Sequence, residues 1–434
     1  MLDISEELTK KDKFLKQLHG NAGSFGTPGI QLKRQEALSA LKQLEFPTTR
    51  DEYWKYTRVG KIVNGSFTHK KDALTNVDAL ILDRENHINL VFVNGFYDED
   101  LSDAGVDTDD LKVMPLSMAS EKYAGLIDTY FGKHIHDKDE IFTALNTAYF
   151  TDGFFVYVGK NKQAEKTIHI VNIVTGNGRI AQPHNLVVAE QSSQVNIIHT
   201  FDTVEETDGF TNSVSEFFVA GNAAIHYEKL QYENDSTFHI SNEQVYQEDS
   251  SRFHINTITL NGALVRNNLN IDVDAQNCLT NLYGLYLLKG KQHIDNHTYV
   301  DHLKAHCESN ELYKGIVDEK GTAVFNGKVH VRKDSQKINA FQSNANILLT
   351  DDATINSKPE LEIYADDVKC SHGSTVGQLD NEALFYLRSR GIGEQASIKL
   401  LMVAFAAEVL DELQNEKFAE RVQEALKERF GIEG

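Results

Sequence analysis

From Phe154 to Ser371 the chain is a succession of short strand-like stretches with no helical pattern between them. Leu269, Ile271 and Val273 alternate with Asn270, Asp272 and Asp274, and Ile168, Ile170, Val171 and Ile173 flank polar residues in the same way. Side chains alternate faces along a strand, so these stretches read as half-buried strands. Turn chemistry separates them at Gly221-Asn222, Asn261-Gly262, Lys289-Gly290 and Asn326-Gly327, and only Pro183 and Pro359 interrupt the span. Strands in this number without helices between them require a sandwich, a barrel or a solenoid. The turn signals are too unevenly spaced to show a repeat period, so composition does not choose among the three.

Both flanks are helical in pattern. Ile4 to His19 places Leu8, Phe14, Leu15 and Leu18 at helical spacing, and Lys33 to Phe46 does so with Ala37, Leu38, Leu41 and Leu44. Gly20 to Gly29 reads as the loop between them, with Pro47 closing the second helix. Leu90 to Val93 is a short apolar run ending in the Asn94-Gly95 turn signal, after which Asp107 to Tyr130 and Asp139 to Tyr149 return to mixed helical patterns. Phe150, Phe154, Phe155 and Tyr157 are expected in the core where the next region starts. At the other end, Asp380 is placed to cap a helix carrying Ala383, Leu384 and Leu387, and Gly391 suits its C′ position. A second helix follows from Glu394 with Ile398, Leu401, Phe405 and Val409 on one stripe and Met402 beside it. A third, Lys417 to Phe430, carries Phe418, Val422 and Leu426. The division is therefore 1–152 mainly helical, 153–375 mainly β and 376–434 helical.

At 434 residues the chain exceeds the usual size of one compact core. No run approaches the eighteen or so apolar residues needed to cross a membrane. The opening MLDISEELTKKDK lacks an apolar signal core and transit-peptide character, so a cytoplasmic location is expected. The three cysteines, Cys278, Cys307 and Cys370, are too few and too scattered for a disulfide framework and read as free thiols. A net charge of −21 argues against nucleic acid and against anionic membranes.

Chemistry-bearing motifs are sparse. The chain has no GxxxxGK(S/T) phosphate loop, no GxGxxG after a strand, and no HExxH, CxxC or GxSxG. Any ATP hydrolysis must come from a partner. His293, His297, His302, His306 and Cys307 are dense enough to suggest a metal site, but strands separated by turns would scatter them. Asp351/Asp352 and Asp366/Asp367 are adjacent pairs, better suited to solvated turns than to converging carboxylates. Cys278, beside Leu279 and Leu282, reads as a small buried residue. Cys370 and His372 remain. On an extended segment they share one face, and a thiolate beside an imidazole suits iron–sulfur chemistry or zinc better than magnesium or calcium. Taken alone, a Cys-x-His pair is a weak signal and fits a small buried cysteine better than a ligand pair.

The whole block PELEIYADDVKCSHGSTVGQLDNEALFYLRSRGI (Pro359 to Ile392) is more specific than the pair. It resembles the C-terminal signature of SufD in the SufB/SufD family, scaffold subunits of the SUF iron–sulfur cluster assembly system. The resemblance extends through HIDNHTYVDHLKAHCESNELYKGIVDEKGTAVFNGKV (His293 to Val329), INAFQSNANILLTDDATINSKPELEI (Ile338 to Ile363) and DEYWKYT (Asp51 to Thr57), which holds the only tryptophan, Trp54. It implies a right-handed parallel β-helix core flanked by helical domains. It also implies a non-enzymatic scaffold acting with the paralogue SufB and the ABC-type ATPase SufC, with no nucleotide bound by this chain. By the same resemblance His372 is a candidate ligand of a transient iron–sulfur cluster shared with SufB, and Cys370 a ligand or sulfur-handling thiol. The family docks its ATPase on the C-terminal helices, which points to Leu387, Ile392, Ile398, Leu401 and Phe405. A reduced flavin in the assembled complex and a homodimer of the isolated chain are left open. Two rivals remain on residues alone: a structural β-helix adaptor, and a polysaccharide-active β-helix enzyme, which the free thiols and the missing signal peptide disfavour.

Overall fold

The computed structural model describes residues 9–19, 25–135, 139–205 and 208–430. Its centre is a parallel β-solenoid whose strands go alternately to a ten-stranded and an eleven-stranded sheet. In the ten-stranded sheet Ile197, Tyr227, Ile255, Leu282, Glu311, Gln342 and His372 lie in register on successive strands. The spacing of these rungs varies between 27 and 31 positions, which is why no fixed period is visible in the sequence. Single residues of positive φ turn the corners, among them Asn222, Asn277, His306 and Lys337, and asparagine tolerates that conformation better than most residues.

The inward faces of the two sheets stack into one core, from Ile88 and Phe92 through Ile197, Phe253 and Ile271 to Val331 and Ala340. Large and small residues alternate across rungs. Tyr313 fills the space a side chain at Gly284 would need, and Tyr286 does the same at Gly315. Each sheet is then covered on its outer face by helices.

The N-terminal helices are α1 (Lys10–Leu18), α2 (Pro28–Leu41), α3 (Gly60–Val63), α4 (Leu116–Lys122), α5 (Ala124–Tyr130) and α6 (Ile141–Tyr149). They bury Phe14, Ala37, Phe142 and Leu145 against Ile180, Phe210, Ile240 and Leu264 of the eleven-stranded sheet. The C-terminal helices are α7 (Asn381–Ser389), α8 (Glu394–Leu410) and α9 (Glu416–Phe430). Met402, Ala406, Val409, Phe418 and Val422 pack on Ile198, Leu230, Ile258 and Leu285 of the ten-stranded sheet. No helix among the described residues is long and apolar enough to cross a membrane.

Local differences from the sequence reading have clear causes. Helix α2 starts at Pro28, inside the expected loop, because Thr27 caps it by accepting from Ile30 N and proline suits the first helical position. It stops at Leu41, yet Leu44 and Phe46 still pack on the core from the following loop. Leu111–Pro115, read as part of a mixed helical stretch, is a strand that pairs antiparallel with Phe154–Val158. Helix α1 begins after Thr9, and the expected start at Ile4 with Leu8 lies outside the described residues. Asp380 and Gly391 act as expected: Asp380 accepts from Glu382 N and Ala383 N, and Gly391 has a φ of 88°.

The two ends of the solenoid differ. At one, short antiparallel strands (Phe96–Tyr97 and Val106–Asp107) finish the sheets. At the other, the last coil, Thr354–Ile363 and Lys369–Gly377, supplies the outermost strand of each sheet, and no element among the described residues caps it.

Candidate functional site

The open end carries the Cys-x-His pair. Cys370 and His372 lie on the last strand, in register with Ala340 and Gln342 of the coil beneath. Ala340 and Gln342 point into the solenoid, so the i, i+2 pair points to the same inner side. With no further coil above, that inner side faces outward. Cys370 is half-buried against the core, and burial pushes its thiol up from the usual range. His372 is exposed.

Polar groups continue beneath the pair. Ser374 Oγ donates to Ser357 Oγ at 2.7 Å, and Ser357 Oγ to Asn344 Oδ1 at 2.7 Å. The Asn344 amide donates to Tyr286 Oη at 2.9 Å. Directly below His372, Gln342 Nε2 donates to Glu311 Oε2 at 2.7 Å and Thr298 Oγ1 to Glu311 Oε1 at 2.6 Å. Burial pushes the Glu311 carboxyl up to about 7. Deeper still, Lys229 Nζ is held by Glu243 at 2.6 Å and by Ser241 and Asn267 at 3.1 Å each. Such groups are tolerated in a solenoid core only because they satisfy one another.

Chemically, the open end offers one thiol and one imidazole. Among the described residues no group of three or more His, Cys, Asp or Glu is placed to hold a metal ion. Iron in a cluster, or zinc, takes about four such ligands. A site of that kind built here needs ligands from beyond the described residues. Both strands of the last coil are also edges with unpaired backbone groups, which favour pairing with a partner.

The other candidate ligands do something else. His293, Asp295 and His297 lie on one outer face of their strand and meet the N-terminal region. Thr57 Oγ1 hydrogen-bonds His293 Nε2 at 2.8 Å and donates to Asp295, and His297 Nε2 lies 2.9 Å from Asp295. Arg266 donates to Asp295 at 2.6 Å and to the Tyr53 carbonyl at 2.9 Å. Burial opposes the Asp295 charge, but Arg266 and His297 outweigh it and hold the carboxyl well below its ordinary value. The acidic-aromatic element at 51–57 is thus one half of a domain clamp. That convergence is invisible in the sequence, because a register of i, i+2, i+4 has to be known before the three residues can be put on one face.

His302 points inward to Ser309 Oγ at 3.0 Å, and His306 turns a corner at φ 63°. Cys278 is buried as expected, its Sγ donating to the Glu248 carbonyl at 3.1 Å, and Cys307 sits at the matching corner one coil on, its Sγ donating to the Ala275 carbonyl at 3.0 Å. Asp351, Asp352, Asp366 and Asp367 are exposed at turns.

In the C-terminal helical region, Leu387, Ile398, Leu401 and Phe405 on the helices and Ile392 in the turn between α7 and α8 are all half-buried. Ile398 and Phe405 pack on the ten-stranded sheet, with Phe405 beneath Lys314 at 4.7 Å. The exposed apolar side chains are others: Phe385 at 74%, Tyr386 at 57%, Leu400 at 50% and Val403 at 39%. Helix α7 buries none of its residues.

Comparison with known proteins agrees with this architecture. The model of the SUF system FeS cluster assembly SufBD core domain matches residues 172–405, and that of the SufBD protein N-terminal region matches 25–170. The chain is 34% identical to an iron–sulfur cluster assembly SufBD family protein of Synechocystis sp., over 94% of this chain and 95% of that one. It is 31% identical to the iron–sulfur cluster assembly protein SufD of Escherichia coli, over 91% of this chain and 92% of that one. The SufD protein of Bacillus subtilis is 27% identical over 88% of this chain and 89% of its own. The chain belongs to the SufBD family of the SUF iron–sulfur cluster assembly system.

Proposed function

We propose that this chain is the SufD-type scaffold subunit of a SUF complex, without catalytic chemistry of its own, and that a nascent iron–sulfur cluster is held at its open end. One observation carries the reading: among the described residues nothing caps the last coil, which turns Cys370 and His372 out on the same side, two ligands where a cluster site takes about four. The SufB paralogue supplies the rest when its own coil stacks on this one. Cluster iron is cargo in this reading, and His372 binds it through a deprotonated nitrogen, so binding weakens as pH falls. The ATPase SufC docks on the C-terminal helices. The half-buried Leu387, Ile392, Ile398, Leu401 and Phe405 shape that surface, and the exposed Phe385, Tyr386, Leu400 and Val403 make its contacts. A reduced flavin belongs, in this scheme, to the assembled complex.

The test is anaerobic co-expression with the cognate SufB and SufC, comparing wild type with His372→Ala and Cys370→Ser. Bound iron and acid-labile sulfide are measured in the intact complex. Normal assembly with cluster lost in His372→Ala supports the shared site. Undiminished iron and sulfide in both variants reduces this chain to a structural partner.

A further inference from the structure

One polar atom beneath the open end has no partner. Gln342 is 3% exposed, its Nε2 donates to Glu311 Oε2 at 2.7 Å, and its Oε1 is buried without a hydrogen bond. A buried acceptor left unpaired is costly, so one retained beside a candidate ligand asks for a reason.

The surroundings hold the amide in this orientation. Glu311 Oε1 accepts from Thr298 Oγ1 while Oε2 accepts from Gln342 Nε2. Against that carboxylate the amide cannot turn over without setting oxygen on oxygen. Gly327 of the eleven-stranded sheet leaves the room, since a Cβ there would come within 2.2 Å of Gln342 Nε2 and 2.9 Å of its Cδ.

With the nitrogen turned down onto Glu311, the oxygen is turned away from the coil beneath. The residue in register on the other side is His372, one strand spacing of about 4.8 Å away and on the same inner face. Cys370 stands instead over Ala340, which offers no polar side chain. The imidazole therefore carries the N–H placed to complete Gln342 Oε1.

We propose that Gln342 is a positioning residue for His372: Gln342 Oε1 accepts the N–H of one ring nitrogen and so presents the other, deprotonated, to cluster iron. The inference rests on the reading of His372 as a ligand of the shared cluster. An imidazole that binds metal commonly donates its second nitrogen to a fixed acceptor, which sets the tautomer and ring plane and raises ligand basicity. In the chain alone the His372 side chain is exposed and has no hydrogen-bond partner among the described residues. The acceptor is thus in place before the ring docks on it.

The test uses the full chain assembled anaerobically with the cognate SufB and SufC, buffered above the value of about 7 to which burial raises Glu311. Wild type is compared with His372→Ala, Gln342→Met, and the exchange of Glu311→Gln with Gln342→Glu. The exchange keeps a donor and an acceptor between the two side chains and sets a carboxylate oxygen, a stronger acceptor, under His372. Copurification and thermal melts establish assembly and folding. One readout is the EDTA concentration that strips half the iron. The other is pulsed EPR of the reduced cluster, where the quadrupole coupling of the ring nitrogen not bound to iron rises as its N–H loses a hydrogen bond. The expected coupling is lowest in the exchange, higher in wild type and highest in Gln342→Met, which should lose its iron at about tenfold less EDTA. Equal couplings in wild type and the assembled variants overturn the proposal, and the exchange decides alone if Gln342→Met does not assemble. Iron content and nitrogen signal unchanged in His372→Ala overturn the ligand reading itself, and the proposal with it.

Discussion

The guanidinium of Arg266 lies 3.8 Å from the ring centre of Trp54, joining a solenoid strand to the N-terminal loop. Its other partner, Asp295, is 1% exposed at the side chain and carries a charge that nothing but this clamp neutralises well. Arg266→Ala strands a buried carboxylate and is expected to cost about 3–5 kcal/mol. Arg266→Lys keeps the charge without the planar fork and should cost less. Urea unfolding of the two variants decides; an Arg266→Ala midpoint equal to wild type would refute the clamp.

The contribution of two buried carboxyls to stability should fall as pH rises toward neutrality. Burial raises Glu311 and Glu228 from 4.5 to about 7 each. Each carboxyl therefore holds its proton more tightly folded than unfolded. The stabilisation is full below the unfolded value and is lost as pH passes the folded one. For Glu311 the span corresponds to about 3 kcal/mol. Asp295 acts in the opposite sense, but only as pH falls below its ordinary carboxyl range. The buried His69, His169, His254 and His302, held below 6.5 by burial, act the other way up to about pH 6.5, so the test is the difference between proteins: in denaturant melts between about pH 5 and 8, wild type should lose stability relative to Glu311→Gln as pH rises.

The three thiols should separate by reactivity. Cys278 and Cys307 are each 2% exposed, whereas Cys370 is only half-buried. Under native conditions maleimide should add one label per chain, at Cys370, and three after unfolding. Intact mass with peptide mapping reads this, and early labelling at Cys278 or Cys307 would contradict the packing of the coil corners.

At the open end, Ile363 and Val376 are exposed apolar residues, at 38% and 50%. Ile363→Asp with Val376→Asp should prevent stacking of a second coil on this one while changing unfolding stability by no more than about 0.5 kcal/mol per site. Light scattering of the chain alone, and co-purification with SufB, measure the effect. Unchanged association places the partner interface elsewhere.

On the C-terminal helices, Phe385→Asp with Leu400→Asp should weaken copurification of the SufC ATPase at least tenfold, since large exposed apolar side chains dominate such contacts. The same change at Glu420 and Lys417, an exposed pair on α9, should be silent.

Period and composition were enough to locate the β region, its helical flanks, the Asp380 cap and the Gly391 terminator, because these depend on interactions within a few residues. Motif wording at 359–392 pointed to the family and to Cys370 and His372. The coil was hidden, since rungs 27 to 31 residues apart have no constant period to detect. Even the family wording could not show which end of the solenoid is open, that Gln342 and Glu311 lie beneath His372, or that Thr57, Arg266 and Asp295 meet. Those are matters of register. A strand's neighbours come from distant coils, and a shift of one residue would send every side chain to the opposite face. What one strand prefers is written locally, and what it touches is decided by the stack.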